Sequence, residues 1–149
     1  VLTSHYYTSI IGLRRSRDRA GKAMSTTART LVALVVLPKR YNPDTRGLRR
    51  RVEKEKWQRT MDEIAAKFGG GFLWDFGRQS PKGFWWDRGL LYKDDVNVIE
   101  VDIPTESSAK SWLIRYARDT VIRRFEQEAI YIKFVGPIEV HLVRIARKK

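Results

Sequence analysis

The chain has 149 residues and no cysteine. It is long enough to bury one hydrophobic core unaided, and it cannot form a disulfide or a thiolate metal site. Its formal net charge is +13, and the first 60 residues hold 15 of the 30 Lys/Arg but only 4 of the 17 Asp/Glu, a segregation that points to polyanionic partners such as nucleic acid. No apolar run approaches the roughly 18 residues of a spanning helix, and no signal-peptide layout is present, so the reading is a cytoplasmic protein with no membrane partner.

In chain order, residues 1–29 carry no periodic apolar stripe and are expected to form a basic, flexible arm bearing Arg14, Arg15, Arg17, Arg19 and Lys22. Met24 heads MSTTARTLVALVVLP and reads as a natural start, which would make residues 1–23 an upstream extension. A single α+β domain is expected over 30–149. Thr30 to Leu37 is an unbroken apolar run that stops at Pro38, as suits a central strand. KRYNPDTRGLRRR follows as a basic loop with Asn42-Pro43-Asp44 as its turn. The spacing of Trp57, Met61, Ile64 and Phe68 predicts a helix over about 49–68, beginning among Arg49, Arg50 and Arg51 and ended by Gly69-Gly70-Gly71. FLWDFGRQ and FWWDRGLLYKDD flank Ser80-Pro81-Lys82-Gly83 and predict a hairpin turning at 80–83. Alternation puts Phe72, Trp74 and Phe76 on one face and sends Trp85 and Trp86 to opposite faces.

Residues 96–135 read as one strand–helix–strand unit. Ile99, Val101 and Ile103 alternate with Val98, Glu100 and Asp102, a strand with one buried face. Pro104 ends the ladder, and a helix is expected to begin at 105–108, with Leu113, Ala117, Val121 and Phe125 as its apolar stripe. Ile130, Ile132 and Phe134 alternate in a further strand that Gly136-Pro137 should end. Ile138, Val140 and Leu142 then form an extra C-terminal strand. The predicted fold class is α+β: a ferredoxin-like βαββαβ sandwich, with two helices on one face of an antiparallel sheet. Its other face is left open, which predicts a homodimer.

LPKRYN after the first strand, KWQRTMDEIAAKFGG, a glycine–aromatic hairpin ending in YKDD, VIEVDIP and RFEQEAIYIKF together resemble a family of small uncharacterised bacterial α+β proteins over roughly residues 30–140. What the resemblance implies is this order of fold-forming elements, with no activity attached.

Three functional classes compete. The first is a non-enzymatic nucleic-acid or polyanion binder using Lys39, Arg40, Tyr41, Arg46, Arg49, Arg50 and Arg51, because guanidinium groups hold phosphates bidentately and exposed aromatic rings stack on unpaired bases. The second is a metal-dependent phosphodiesterase or nuclease in which Asp75, Asp87, Glu100 and Asp102 hold Mg²⁺, with Lys93 or Lys133 stabilising charge. The third is a small-molecule binder in which Trp74, Trp85, Trp86 and Tyr92 wall an apolar pocket. Against the second stands the ordinary role of strand and turn carboxylates as solvated residues; no metal-ligand spacing is present and no cofactor is indicated. His141, alone on the outward side of the last strand, has no spacing that pairs it with a nucleophile.

Overall fold

A computed structural model describes residues 14–16 and 23–145. Its elements are β1 (Arg14–Ser16), β2 (Ala23–Pro38), α1 (Lys54–Phe68), β3 (Phe72–Trp74), β4 (Lys82–Asp87), β5 (Leu90–Ile103), α2 (Ser107–Tyr116, continued by a π turn Ala117–Val121 and a last turn Ile122–Arg124) and β6 (Tyr131–Ile145). The protein is α+β. β2 lies at the centre of the sheet: it pairs antiparallel with β5 from Leu31↔Ile103 to Pro38↔Val96 and, on its other edge, with β6 from Ala23↔Ile145 to Val36↔Tyr131. β3 lies antiparallel on the far side of β5, and β4 pairs with the outer half of β5.

The two faces of the sheet differ because strand side chains alternate. Leu31, Ala33, Val35 and Leu37 of β2 and Ile99, Val101 and Ile103 of β5 point into the core. There they meet Trp57, Ile64 and Phe68 of α1 and Ala109, Leu113, Val121 and Phe125 from α2 and its end. Trp57 packs edge-to-face on Phe125 at 4.9 Å, and Phe68 does the same on Trp112 at 5.3 Å. Burying each large side chain contributes about 1.5–3 kcal/mol. A stripe that recurs every four residues drifts around a helix of 3.6 residues per turn. The π turn at Ala117–Val121 widens the helix where the drift accumulates, and the Ile122 N–H donates to the Ala117 carbonyl, a five-residue span. Leu113, Ala117, Val121 and Phe125 therefore all stay buried.

The helices are also joined by a polar seam. Arg124 donates to both carboxylate oxygens of Glu63 at 3.0 and 2.9 Å, and to the hydroxyls of Thr60 at 2.7 Å and Tyr116 at 3.2 Å. Tyr116 itself donates to Glu63 at 2.6 Å. Glu126, just past the last turn, faces Lys56 of α1 at 3.9 Å.

Four expectations need correction. β2 begins at Ala23, so residues 23–29 of the expected flexible arm are strand. Its polar first half is held by backbone pairing with residues 138–145, a long-range partner that apolar periodicity does not report. The other parts of the arm, apart from 14–16, lie outside the described residues. α1 begins at Lys54, because Val52 is buried and Glu53 is extended (φ −64, ψ 144). The hairpin turns at Arg88-Gly89, not at 80–83: both residues have positive φ, 48° and 81°, and Asp87↔Leu90 closes the pair, a two-residue turn that matches strand twist. β3 consequently pairs with β5 rather than β4. The extra C-terminal strand is the second half of β6, which passes Gly136-Pro137 with a register shift opposite Thr30 and Val32. Gly136 sits at φ 119 with no room for a side chain: a Cβ there would lie 2.8 Å from the Ile138 nitrogen and 3.1 Å from the Thr30 oxygen.

Candidate nucleic-acid interface

After Pro38 the chain leaves the sheet as a folded-back tongue. The Val52 N–H donates to the Lys39 carbonyl at 3.0 Å and the Tyr41 N–H to the Arg50 carbonyl at 2.9 Å, so residues 39–41 and 50–52 run as a two-limbed ribbon. At its tip Asp44 Oδ1 accepts from the Arg46 and Leu48 N–H groups, both at 2.9 Å, the side-chain-to-backbone bonding that makes aspartate a turn former. The Asn42-Pro43-Asp44 turn of the sequence reading is thus shifted by two residues into 44–47.

The ribbon divides the seven predicted binding residues. Tyr41 is 3% exposed and is no stacking platform. Its hydroxyl donates to Glu53 and accepts from Lys56 at 2.5 Å, and burial, then the Glu53 bond, raises its pKa. Arg49 is also structural: its Nε donates to the Tyr41 carbonyl at 3.1 Å, and it forms an ion pair with Asp94, which is 5% exposed. Lys39 binds Asp75 at 3.1 Å and the Gly77 carbonyl at 2.8 Å. The Gly77 N–H and then Lys39 hold the Asp75 carboxyl below its ordinary range. Arg40 donates to the Arg49 carbonyl at 3.1 Å and forms no ion pair among the described residues, though with Lys82 and Lys39 its charge helps hold the Asp95 carboxyl below its ordinary range. Arg50 lies over the Tyr41 ring, 5.0 Å from its centroid, and touches Glu53 only at 4.0 Å. Arg46 and Arg51 are exposed and have no ion-pair partner among the described residues.

Beside the base of the tongue an open groove of about 960 Å³ runs between the first turns of α1 and the loop 75–80. Val52, Trp57, Met61 and Leu73 give it an apolar floor, and Arg40, Arg51, Lys54 and Arg78 stand around it. None of these four cations has a carboxylate partner among the described residues. Glu55 is the one lining carboxylate there without a partner, since Asp75 is bound to Lys39 and Asp95 to Lys82. Asn97 of β5 also lines the groove; it is 6% exposed, and its Oδ1 has no hydrogen-bond partner among the described residues. Lys54, Arg78, Trp57 and Asn97 were not among the predicted binding residues. The available signal was Asn97, a polar residue at a core-facing position of an otherwise apolar strand.

The alternative constellations are not assembled. Trp74 stacks on Phe76 at 6.3 Å and donates its indole N–H to Glu100 at 2.8 Å. Trp85 stacks on its cross-strand partner Tyr92 at 6.1 Å, and Trp86 is 71% exposed opposite Leu91. Trp74 pairs with Val98, and the six residues from Val98 to Tyr92 span about 20 Å of strand. The four rings therefore form separate stacks and not one pocket. Asp75 is bound to Lys39, and Asp87 sits at the hairpin tip beside Arg88. Only Glu100 and Asp102 remain neighbours, and burial, then Glu100, raises the Asp102 pKa. Among the described residues no group of three His, Cys, Asp or Glu is placed to hold a metal. Lys93 lines a small cleft with Arg40, Arg49, Lys82, Asp94 and Asp95, and Lys133 stands opposite Leu34 on the open face. His141 bonds Thr27 at 3.1 Å and Glu139, an ordinary strand histidine. Comparison of the chain with protein-family models, curated proteins and solved structures finds no match.

Proposed function

We propose that the protein is a non-enzymatic binder of nucleic acid or a similar polyanion, which it meets with the tongue and the groove beside it. One observation carries the reading: Arg40, Arg51, Lys54 and Arg78 stand around one groove without an ion pair among the described residues, and Glu55 is the one lining carboxylate left unpaired among them. Cations unpaired among the described residues, such as Arg46, Lys110, Arg115 and Arg123, also lie elsewhere on the surface; what marks Arg40, Arg51, Lys54 and Arg78 is that they stand around one groove. Four phosphate contacts release four sets of counterions, so log affinity should fall against log salt with a slope of about −3 to −4.

Fluorescence anisotropy of labelled single-stranded and duplex DNA and RNA, at several salt concentrations, tests this. Binding with that slope is expected, reduced by about two in Arg51→Ala/Arg78→Ala. No binding at moderate salt, or variants with an unchanged slope, would overturn it.

The same reading takes the frame as ferredoxin-like. In support, β5 lies between β3 and β2 and β2 between β5 and β6, all antiparallel, so each helix connects two strands separated by a third. It also takes the protein as a homodimer through the face away from the helices. That face carries Phe72 and Tyr131, 61% and 60% exposed, with Trp74. Lys133 lies in the row of Leu34 and Glu100, so a two-fold copy can set its lysine against a carboxylate. Light scattering of the full chain should give twice the chain mass, and Tyr131→Glu should give the monomer. A monomeric parent would refute the homodimer.

A further inference from the structure

We infer that the groove is a site for one unpaired nucleotide unit, with its phosphate among Arg51, Lys54 and Arg78, its base on the apolar floor, and the edge of the base against Asn97. The inference rests on the polyanion reading above and adds what an electrostatic surface alone would lack, a means of holding a base.

Asn97 is the centre of it. It occupies the same strand face as Ile99, Val101 and Ile103, opposite the fully buried Leu37, a position where an aliphatic side chain would pack without a polar cost. Its side-chain amide makes no hydrogen bond among the described residues, and Oδ1 is enclosed without a partner. Buried polar groups are paired in nearly all folded proteins, and an exception calls for a missing partner. Asn97 lines the groove, so a ligand there can meet the outer atom of its amide. A half turn about the terminal bond of the amide exchanges the enclosed and the outer atom. The position can therefore present either a donor or an acceptor to the edge of a base.

The surroundings fit the rest of a nucleotide. Trp57 is held edge-on by Phe125 and is only 8% exposed; with Val52, Met61 and Leu73 it makes a fixed apolar floor rather than a mobile one. α1 has 15 residues, and its N-cap residue Glu53 makes no side-chain capping bond. The helix dipole and the first-turn N–H groups other than that of Lys56, which donates to the Glu53 carbonyl, add to Lys54 in favouring an anion, against the Glu55 carboxylate of the same turn. The volume of the groove lies within the range of small-ligand sites. A base stacked within a duplex cannot lay its face on the apolar floor, so the ligand is a nucleotide of a single strand or a free one.

Calorimetric titration of the full chain with adenosine 5′-monophosphate, ribose 5-phosphate, a single-stranded oligoadenylate 10-mer and an abasic strand of the same length tests the inference. The mononucleotide should bind at least tenfold more tightly than the sugar phosphate, or the 10-mer at least tenfold more tightly than the abasic strand. Tight binding of the mononucleotide identifies a free nucleotide as the ligand, and tight binding of the 10-mer alone identifies a strand. Asn97→Leu should remove the tenfold preference while leaving the salt slope of 10-mer binding unchanged. Arg51→Ala/Arg78→Ala should weaken all four ligands and lower the slope. Asn97→Thr, which keeps a polar atom but not the amide, should also lose the preference, and an unchanged urea midpoint in either variant guards against a folding defect. If the parent binds the 10-mer but shows no preference for a base, or if both Asn97 variants keep it, the groove inference fails and the polyanion reading stands. If the 10-mer does not bind, both fail.

Discussion

Breaking the seam between the two helices gives the sharpest test of how the domain is held together. Arg124 has a side chain 10% exposed and Glu63 one 33% exposed, and the guanidinium meets both oxygens of the carboxylate. Glu63→Gln keeps the shape and leaves the buried cation without its counter-charge. Removing one partner of a fully buried pair costs about 3–5 kcal/mol. Here Thr60 and Tyr116 still accept from Arg124, so the expected loss is about 2–3 kcal/mol. For a domain of this size that is a fall in Tm of roughly 5–10 °C. Arg124→Met leaves Glu63 able to reach water and should cost less, about 1–2 kcal/mol. The double variant should cost less than the sum of the two, by at least ~1 kcal/mol of coupling. Urea unfolding followed by tryptophan fluorescence reads all four proteins. Burial works to raise the Glu63 pKa, but the bonds from Tyr116 and Arg124 outweigh it and leave the carboxyl below its ordinary value. A depressed carboxyl stabilises the fold above its unfolded pKa of about 4.3, and that stability is lost as pH falls through the folded value. Glu63→Gln should therefore flatten the acid limb of the stability profile. A loss under ~0.5 kcal/mol, with no coupling in the cycle, would mean that the seam is incidental to the packing around it.

Two further outcomes follow from particular atoms. Gly136→Ala places a Cβ against two backbone atoms at positive φ and should cost at least ~2 kcal/mol. Gly77→Ala, at φ +58 with nothing within 4 Å, should cost about 1–2 kcal/mol; equal melting temperatures for the two would refute the crowded bulge. Burial, then the bond to Glu63, pushes the Tyr116 phenol up to about 12. A pKa raised above the unfolded value of about 10 contributes stability that is complete below pH 10 and is lost as pH rises toward 12. Urea midpoints measured across pH 9–12 should fall less steeply in Tyr116→Phe than in the parent, and identical slopes would show that the phenol ionises without regard to the fold.

Periodicity made the closed half of the domain legible. The valine-rich run of β2, the alternation of β5 and the four-residue stripe of α2 each state which side is buried, and the core lies where they point. The pieces that were misread depend on partners distant in the chain. Met24 to Arg29 is strand only because β6 continues past Gly136 to meet it. Ser80-Pro81-Lys82-Gly83 has a stronger turn composition than Arg88-Gly89. The hairpin turned at the weaker signal because the ladder there pairs Trp85 with Tyr92 and Trp86 with Leu91.

The candidate site was hidden for a related reason. Arg49, Arg50 and Arg51 look alike in sequence, and read as a helix start they would share one electrostatic fate at the positive end of the dipole. In an extended limb successive side chains leave in opposite directions. One arginine reaches Asp94, the next lies over Tyr41, and the third borders the groove without a partner. A count of charges cannot distinguish a guanidinium already committed to holding the tongue from one free to meet a phosphate. Geometry makes that distinction: among the described residues it sets an unpaired guanidinium beside a buried amide that has no hydrogen-bond partner.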